Sequence, residues 1–354
     1  MTHKTKTEAL LKDYNNKYPV SQVQDIFKFL HQSSFGCEHM IKSLDTAEER
    51  IRSEAENFVG NTSEKTEPLD GDYSRVSLAY VKEGLSVRTL AKLFYMSAKT
   101  EPDGMNRLKE KLSVAKALAE KGVFSFSYDD FLKACEEWKN NGYEALHHSE
   151  IFRKEYNPSY RVVSDRFVPF LPLLARLDTM LQKGAVRLAV DGGSASGKST
   201  LSKLLEELYG CSVFHMDDFF LQPQQRTKER LSQIGGNVDR ERFESEVLIP
   251  VSRNETVSYR RFDCSRQEIL PPVDITPQRL TLIEGAYSMH TSLSGYYDLS
   301  VFLDVDKKLQ KERILKRNGE MAERFFNEWI PLEERYFDGM NVRNRCCMTI
   351  YINK

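Results

Sequence analysis

Asp191-Gly192-Gly193-Ser194-Ala195-Ser196-Gly197-Lys198-Ser199-Thr200 carries the pattern G-x-x-x-x-G-K-S. The spacing has a mechanical basis. Glycines let a loop wrap so that successive backbone N–H groups point inward, and the helix that follows adds the positive end of its dipole. The sequence around the loop has the matching periods. Val186–Val190 is a short apolar run of strand length, and Leu201, Leu204 and Leu205 after the loop recur at helical spacing. A strand, a glycine loop and a helix in that order form a nucleotide phosphate-binding loop. Gly192, Gly193, Ser194, Ala195, Ser196, Gly197, Lys198, Ser199 and Thr200 are therefore the expected nucleotide contacts. Lys198 is expected to reach the β- and γ-phosphates, and the Ser199 hydroxyl to ligate Mg²⁺.

Downstream of the loop, strand candidates are Ser212–His215, Leu280–Ile283, Leu299–Leu303 and Met348–Ile352, with helical stretches at 306–317 and 321–337. Alternating strands and helices predict a five-stranded parallel sheet flanked by helices. Upstream, the chain reads as mainly helical. Val23, Ile26, Phe27 and Leu30 form one apolar stripe, and Met40, Ile41, Leu44, Ile51 and Phe58 a second. Helices are expected over 86–99, 104–121, 127–140 and about 167–182. Ser127 is placed as an N-cap, Gly122 and Gly142 as C-terminal caps, and Gly184 as the last helix's end. Residues 60–74 and 157–161 are rich in loop formers and are expected as a loop and a turn between helices. The expectation is a helical domain over 1–184 and an α/β domain over 185–354.

Composition narrows the function. The chain has 354 residues with a net charge of -1, and basic and acidic residues are near parity in both halves. That lacks the positive excess of a dedicated nucleic-acid binder. No apolar run has the length of a membrane span, and the N-terminal residues lack the apolar stretch of a signal peptide. The six cysteines show no CxxC or zinc spacing, which reads as reduced thiols in a cytoplasmic protein. Cys37 with His39 has no third ligand. The tandem pair His147-His148 on a helix would point to different faces, so neither pair is expected to chelate. Trp138 and Trp329 are expected as core or interface aromatics, and His215 as a strand residue beside the site.

The second strand runs into His215-Met216-Asp217-Asp218-Phe219-Phe220. Carboxylates at the carboxyl end of a parallel strand lie where ligands bind in open α/β sheets. There Asp217 is placed to accept a proton from a substrate hydroxyl. The segments VDGGSASGKSTL, VFHMDDFF, GGNVDRERFESEVL, TLIEGAYS and YDLSVFLDVD, in that order over roughly 185–354, resemble the uridine kinase and phosphoribulokinase branch of P-loop kinases. They also resemble nicotinamide riboside kinases in the DDFF segment. The resemblance implies an ATP- and Mg²⁺-dependent phosphotransferase acting on a hydroxyl of a nucleoside, sugar or related metabolite. Asp217 would be its base, and Glu284 would help hold Mg²⁺ and its waters. Arg313 and Arg317 would close a lid, while Asp239, Tyr259 and Arg266 would contact the acceptor.

Cys264 departs from the family pattern, standing where those kinases carry a histidine toward a pyrimidine. A thiol cannot make that hydrogen bond, so the acceptor need not be uridine. The neighbouring Arg260, Arg261 and Arg266 suit an anionic one. A regulatory nucleotide switch whose helical half binds a partner is the competing expectation, although a switch has no use for a base on the second strand. The helical half is equally open to supplying substrate contacts or the interface of a homo-oligomer.

Overall fold

The computed structural model describes residues 3–37, 43–58, 65–98 and 101–353. His39, Met40 and Ile41, together with residues 60–64 of the expected loop, lie outside them. The chain divides into two compact units, Met1–Asp178 and Thr179–Lys354.

The first unit opens with α1 (His3–Lys17), α2 (Val23–Phe35) and α3 (Leu44–Glu56). Strands β1 (Thr66–Pro68) and β2 (Tyr73–Ser77) follow, then α4 (Ala79–Lys82), α5 (Val87–Ser97), α6 (Gly104–Glu120), α7 (Tyr128–Asn140) and α8 (Glu150–Tyr156). Strand β3 (Tyr160–Ser164) precedes α9 (Leu171–Lys183), and the division between units falls inside α9. The expected stripe Val23, Ile26, Phe27 and Leu30 is buried in one cluster with Leu11, Leu108 and Phe131. Ser127 caps α7 by accepting from the Asp130 amide. Trp138 stacks on Phe27 at 4.5 Å between centroids and donates to the Glu144 carbonyl, so it is a core residue of this unit.

Two segments differ from expectation. Part of the expected loop 60–74, and the expected turn at 157–161, contribute to an antiparallel sheet in the order β1-β2-β3. The pattern was hidden because β2 (Tyr-Ser-Arg-Val-Ser) is buried at every position while three of its five residues are polar. Arg75 explains how that is tolerated. Its guanidinium pairs with Glu67 at 2.8 Å, donates to Gln32 at 2.9 Å and lies 4.7 Å from the Tyr160 ring centroid. A buried cation is stable when it is paired and hydrogen-bonded in this way.

The second unit is a five-stranded sheet in the order β10-β9-β4-β8-β5, parallel throughout. Its strands are β4 (Val186–Gly192), β5 (Ser212–His215), β8 (Leu280–Glu284), β9 (Leu299–Val305) and β10 (Met348–Ile352). Helix α10 (Lys198–Tyr209) follows the loop after β4. Between β5 and β8 the chain forms the short α11 (Lys228–Ser232), and α12 (Arg240–Phe243) joined by a π turn to α13 (Ile249–Ser252). A hairpin of β6 (Val257–Asp263) and β7 (Glu268–Ile275), with a register shift between Arg260 and Phe262, completes that insertion. Helix α14 (Lys307–Asn318) follows β9. The expected helix at 321–337 is α15 (Ala322–Arg324), a π turn and α16 (Ile330–Gly339), and α17 (Val342–Arg345) leads into β10.

The first strand of this unit, β4, is central, with its later neighbours on both sides. That makes its carboxyl end a topological switch point, where a ligand crevice opens. Among the described residues no helix is long and apolar enough to cross a membrane.

Candidate active site

The loop after β4 opens with a backbone only glycine accepts comfortably. Gly192 has φ +149°, and a Cβ there would stand 2.6 Å from the Leu303 carbonyl oxygen. Gly197 has φ +101° and leads directly into α10. In the first turn of α10 the Thr200 amide bonds the Gly197 carbonyl at 3.0 Å, and the Lys198 and Ser199 amides, with no carbonyl one turn back, remain as donors for an acceptor. Lys198 Nζ donates to the Gly192 and Gly193 carbonyls at 2.7 and 3.0 Å, folded over its own loop. The Ser196 hydroxyl is buried without a partner. An orphaned hydroxyl, a flexible ammonium and free helix amides around one concavity suit a polyphosphate.

The loop borders a cleft of about 710 Å³. Ser194, Ala195, Ser196, Gly197, Lys198, Ser199 and Thr200 line one side, and Asp217 and Glu284 face the same space. Arg313, Lys316 and Arg317 contribute positive charge from α14. Register explains how the acids meet: His215 at the end of β5 pairs with Glu284 at the end of β8, which also pairs with Val190 on β4. His215 Nδ1 lies 2.6 Å from Glu284 Oε1, and this hydrogen bond raises the His215 pKa. Asp217 touches solvent in the cleft but is crowded by protein. That desolvation raises its pKa, Lys198 pulls it back, and the Glu284 charge adds to the rise. Ser199 supplies a hydroxyl and Glu284 a carboxylate to one cleft, an oxygen donor pair that fits Mg²⁺.

Two residues that hold the loop, Glu333 in the cleft lining and Gln310 behind it, escaped the sequence reading. Glu333 on α16 accepts from the Ser194 amide at 2.8 Å and from its hydroxyl at 2.7 Å, while Gln310 donates to the Ser194 carbonyl at 2.8 Å. Neither sits in a motif, and nothing local in sequence marks them as loop partners. Trp329 is not simply a core aromatic. It packs edge-on against Phe325 at 4.3 Å and lines the cleft.

The expected acceptor contacts are not brought together. Asp239 caps α12 instead: it accepts from the Arg242 amide at 3.2 Å and from Gln225 Nε2 at 2.9 Å, and is 5% exposed. Its neighbour Asn237 lines the cleft. Arg266 stands exposed on the hairpin turn beside Asp263 and Glu268, away from the cleft lining. Tyr259 is buried, and its hydroxyl donates to Asp218 at 3.3 Å, so it supports the acidic turn from behind. Of the three arginines on this segment, Arg260 is paired with Glu246, whereas Arg261 lies in the field of Asp218. Cys264 is exposed on the hairpin and carries a raised pKa from partial burial.

Residues 188–326 match the Phosphoribulokinase / Uridine kinase family. The match begins within β4 and ends beyond α15, so it spans the phosphate loop, the Asp217 turn and the α14 arginines. A uridine kinase of Chlamydia pneumoniae is 30% identical over 151 residues, 39% of this chain. The chain spans 64% of that relative's length. Among solved structures, a putative fructose transport system kinase from a Silicibacter species aligns with 47% of this chain and 89% of its own, at 24% identity and a TM-score of 0.40. A possible uridine kinase from Bacillus stearothermophilus aligns with 51% of this chain and 99% of its own, at 20% identity and a TM-score of 0.38. The family match does not extend into the helical unit.

Proposed function

We propose that the second unit is an ATP- and Mg²⁺-dependent kinase that phosphorylates a hydroxyl of a small metabolite, a nucleoside, sugar or related polyol. The observation that supports this most is the presence of the Asp217 carboxylate in the cleft of the phosphate loop. A nucleotide switch would need a group that positions water, and gains nothing from a desolvated carboxylate beside Lys198. Mg²⁺, when bound, neutralises phosphate charge, with Ser199 and Glu284 as its protein donors.

In this reading the loop amides and Lys198 hold the phosphates. Asp217 accepts the acceptor's hydroxyl proton as the oxygen attacks, and the raised pKa brings it closer to the ideal of a base near working pH. Arg313 and Arg317 place positive charge where the transferring phosphoryl group develops negative charge. Arg317 already contributes to the field at Asp217, and Arg313 donates to the Ala195 carbonyl at 3.1 Å.

The test is ADP release from Mg·ATP with a panel of acceptors: uridine, cytidine, nicotinamide riboside, pantothenate, and free and phosphorylated sugars. One acceptor should stimulate turnover, and Asp217→Asn should lower that turnover by roughly 10²–10⁴-fold with nucleotide affinity preserved. Equal turnover in the variant and the wild type would remove Asp217 as the base. ATP binding with no acceptor dependence would favour the switch.

A further inference from the structure

The helical unit holds a cavity of its own, about 370 Å³, within the size range of small-ligand pockets. Lys28 and Gln32 reach it from successive turns of α2, Arg153 from α8, Arg161 and Tyr160 from β3, and Glu54 from α3. Its wall thus carries three permanent or near-permanent cations against a single carboxylate.

The state of these groups is what makes the cavity a site. Gln32 is 2% exposed. Its Oε1 accepts from Arg75 Nε at 2.9 Å and from the Tyr160 hydroxyl at 3.5 Å, which leaves Nε2 buried without a partner. Exchanging the amide's oxygen and nitrogen would set two donors against each other at Arg75, so the orphan is fixed by chemistry. Lys28 is 8% exposed, and its ammonium donates to one neutral acceptor, the Leu146 carbonyl, at 2.8 Å. Burial and the nearby Arg75 push its pKa down to about 8. The nearest acid, Asp25, is engaged by His148, Ser149 and the Gln22 amide. Arg153 is exposed, and its guanidinium has no hydrogen bond or ion pair among the described residues.

A water molecule would satisfy the Gln32 amide, but it would not neutralise the buried Lys28. A buried cation facing a cavity without a counter-charge is matched by an anion, and the exposed, unpaired Arg153 guanidinium on the same lining is a ready fork for one. Glu54 adds a different demand. Its two oxygens accept from the two terminal nitrogens of Arg161 at 2.8 and 2.9 Å, which holds its remaining lone pairs at the cavity wall as acceptors for hydroxyl groups. The geometry points to a second binding site, in the N-terminal unit, for a small phosphorylated polyol: the phosphate meets Lys28, Arg153 and the Gln32 amide, and the hydroxyls meet Glu54. This inference does not depend on the kinase reading of the other unit.

The test uses the full chain with saturating Mg·ADP, so that the phosphate loop is occupied. Inorganic phosphate, glycerol 3-phosphate, ribose 5-phosphate and, as a neutral control, ribose are titrated by calorimetry. Ribose 5-phosphate should bind one to one and more tightly than inorganic phosphate. Arg153→Ala, which removes a side chain with no partner to lose, should weaken it about tenfold or more, and Gln32→Leu should do likewise. Glu54→Gln should narrow the advantage of ribose 5-phosphate over inorganic phosphate. The proposal fails if none of the three phosphates binds, if Arg153→Ala leaves their affinity unchanged, or if ribose binds as well as ribose 5-phosphate.

Discussion

Gly285, immediately after the cleft carboxylate Glu284, is the position where packing and chemistry are most directly joined. It has φ +140°, and a Cβ added there would stand 2.7 Å from Met216 Cβ and 3.3 Å from the Met216 amide nitrogen. Met216 is fully buried and precedes Asp217. Real Cβ atoms do not approach so closely, so Gly285→Ala must move Met216 and with it the acidic turn. Overpacking of this kind costs about 1–3 kcal/mol, and a φ of this sign adds about 1–3 kcal/mol for a residue with a side chain. The expected loss is therefore about 2–6 kcal/mol. The chain has two tryptophans, Trp138 in the first unit and Trp329 in the second. Urea unfolding followed by Trp329 fluorescence in a Trp138→Phe background reports the second unit alone. Gly295→Ala is the control, because nothing lies within 4 Å of its added Cβ, and it should stay within about 0.5 kcal/mol. Turnover of Gly285→Ala should fall by roughly 10²-fold from the displaced Asp217, with nucleotide affinity much less affected. A stability change below about 0.5 kcal/mol together with wild-type turnover would refute the reasoning, since the contact would then have been absorbed without moving the turn.

In the first unit, Arg75→Met should cost about 3–5 kcal/mol by leaving Glu67 and Gln32 without their buried partner, read by Trp138 fluorescence during urea unfolding. His148 is held neutral by burial, with a pKa pushed down to about 4. Above about pH 6.5 it is neutral in both states and nothing changes. As pH falls from there toward 4 the unfolded chain takes up a proton that the folded one refuses, so up to about 3 kcal/mol of stability is lost over that window. A pH series of unfolding midpoints should show this slope, and a slope identical in His148→Gln would assign it elsewhere. In the second unit, if the proposed function holds, Arg317→Ala should lower kcat by about tenfold or more while changing the KM for ATP much less, because in that proposal its charge acts on the transferring group rather than on the bound triphosphate. A KM effect without a kcat effect would place Arg317 in ground-state binding.

Nearly all of the second unit's sheet was legible because parallel strands buried on both faces announce themselves as short apolar runs, as Val186–Val190 and Leu299–Leu303 do. The phosphate loop was legible for a related reason. Its glycines, lysine and serine act through a few consecutive backbone positions, so sequence spacing is already geometry. The same holds for Asp217 and Glu284, each at the end of a strand whose neighbours set its place.

What depended on distant partners was not legible. Asp239 and Arg266 stand in the right order along the chain, yet one is a helix cap and the other lies on a hairpin turn. Whether a side chain is free to meet a substrate depends on which neighbours satisfy it first. Glu333 and Gln310 reach the loop from positions 139 and 116 residues away. Strand β2 was hidden because Arg75 is buried among groups that only the fold assembles, from α1, α2, β1 and β3. Local spacing therefore determined the sheet, the loop and the acidic turn, since each is built from near neighbours in sequence. The satisfaction of buried charges, and so the cavity around Lys28 and Gln32, was decided by tertiary structure, because hydrogen bonds and ion pairs are settled by proximity in space.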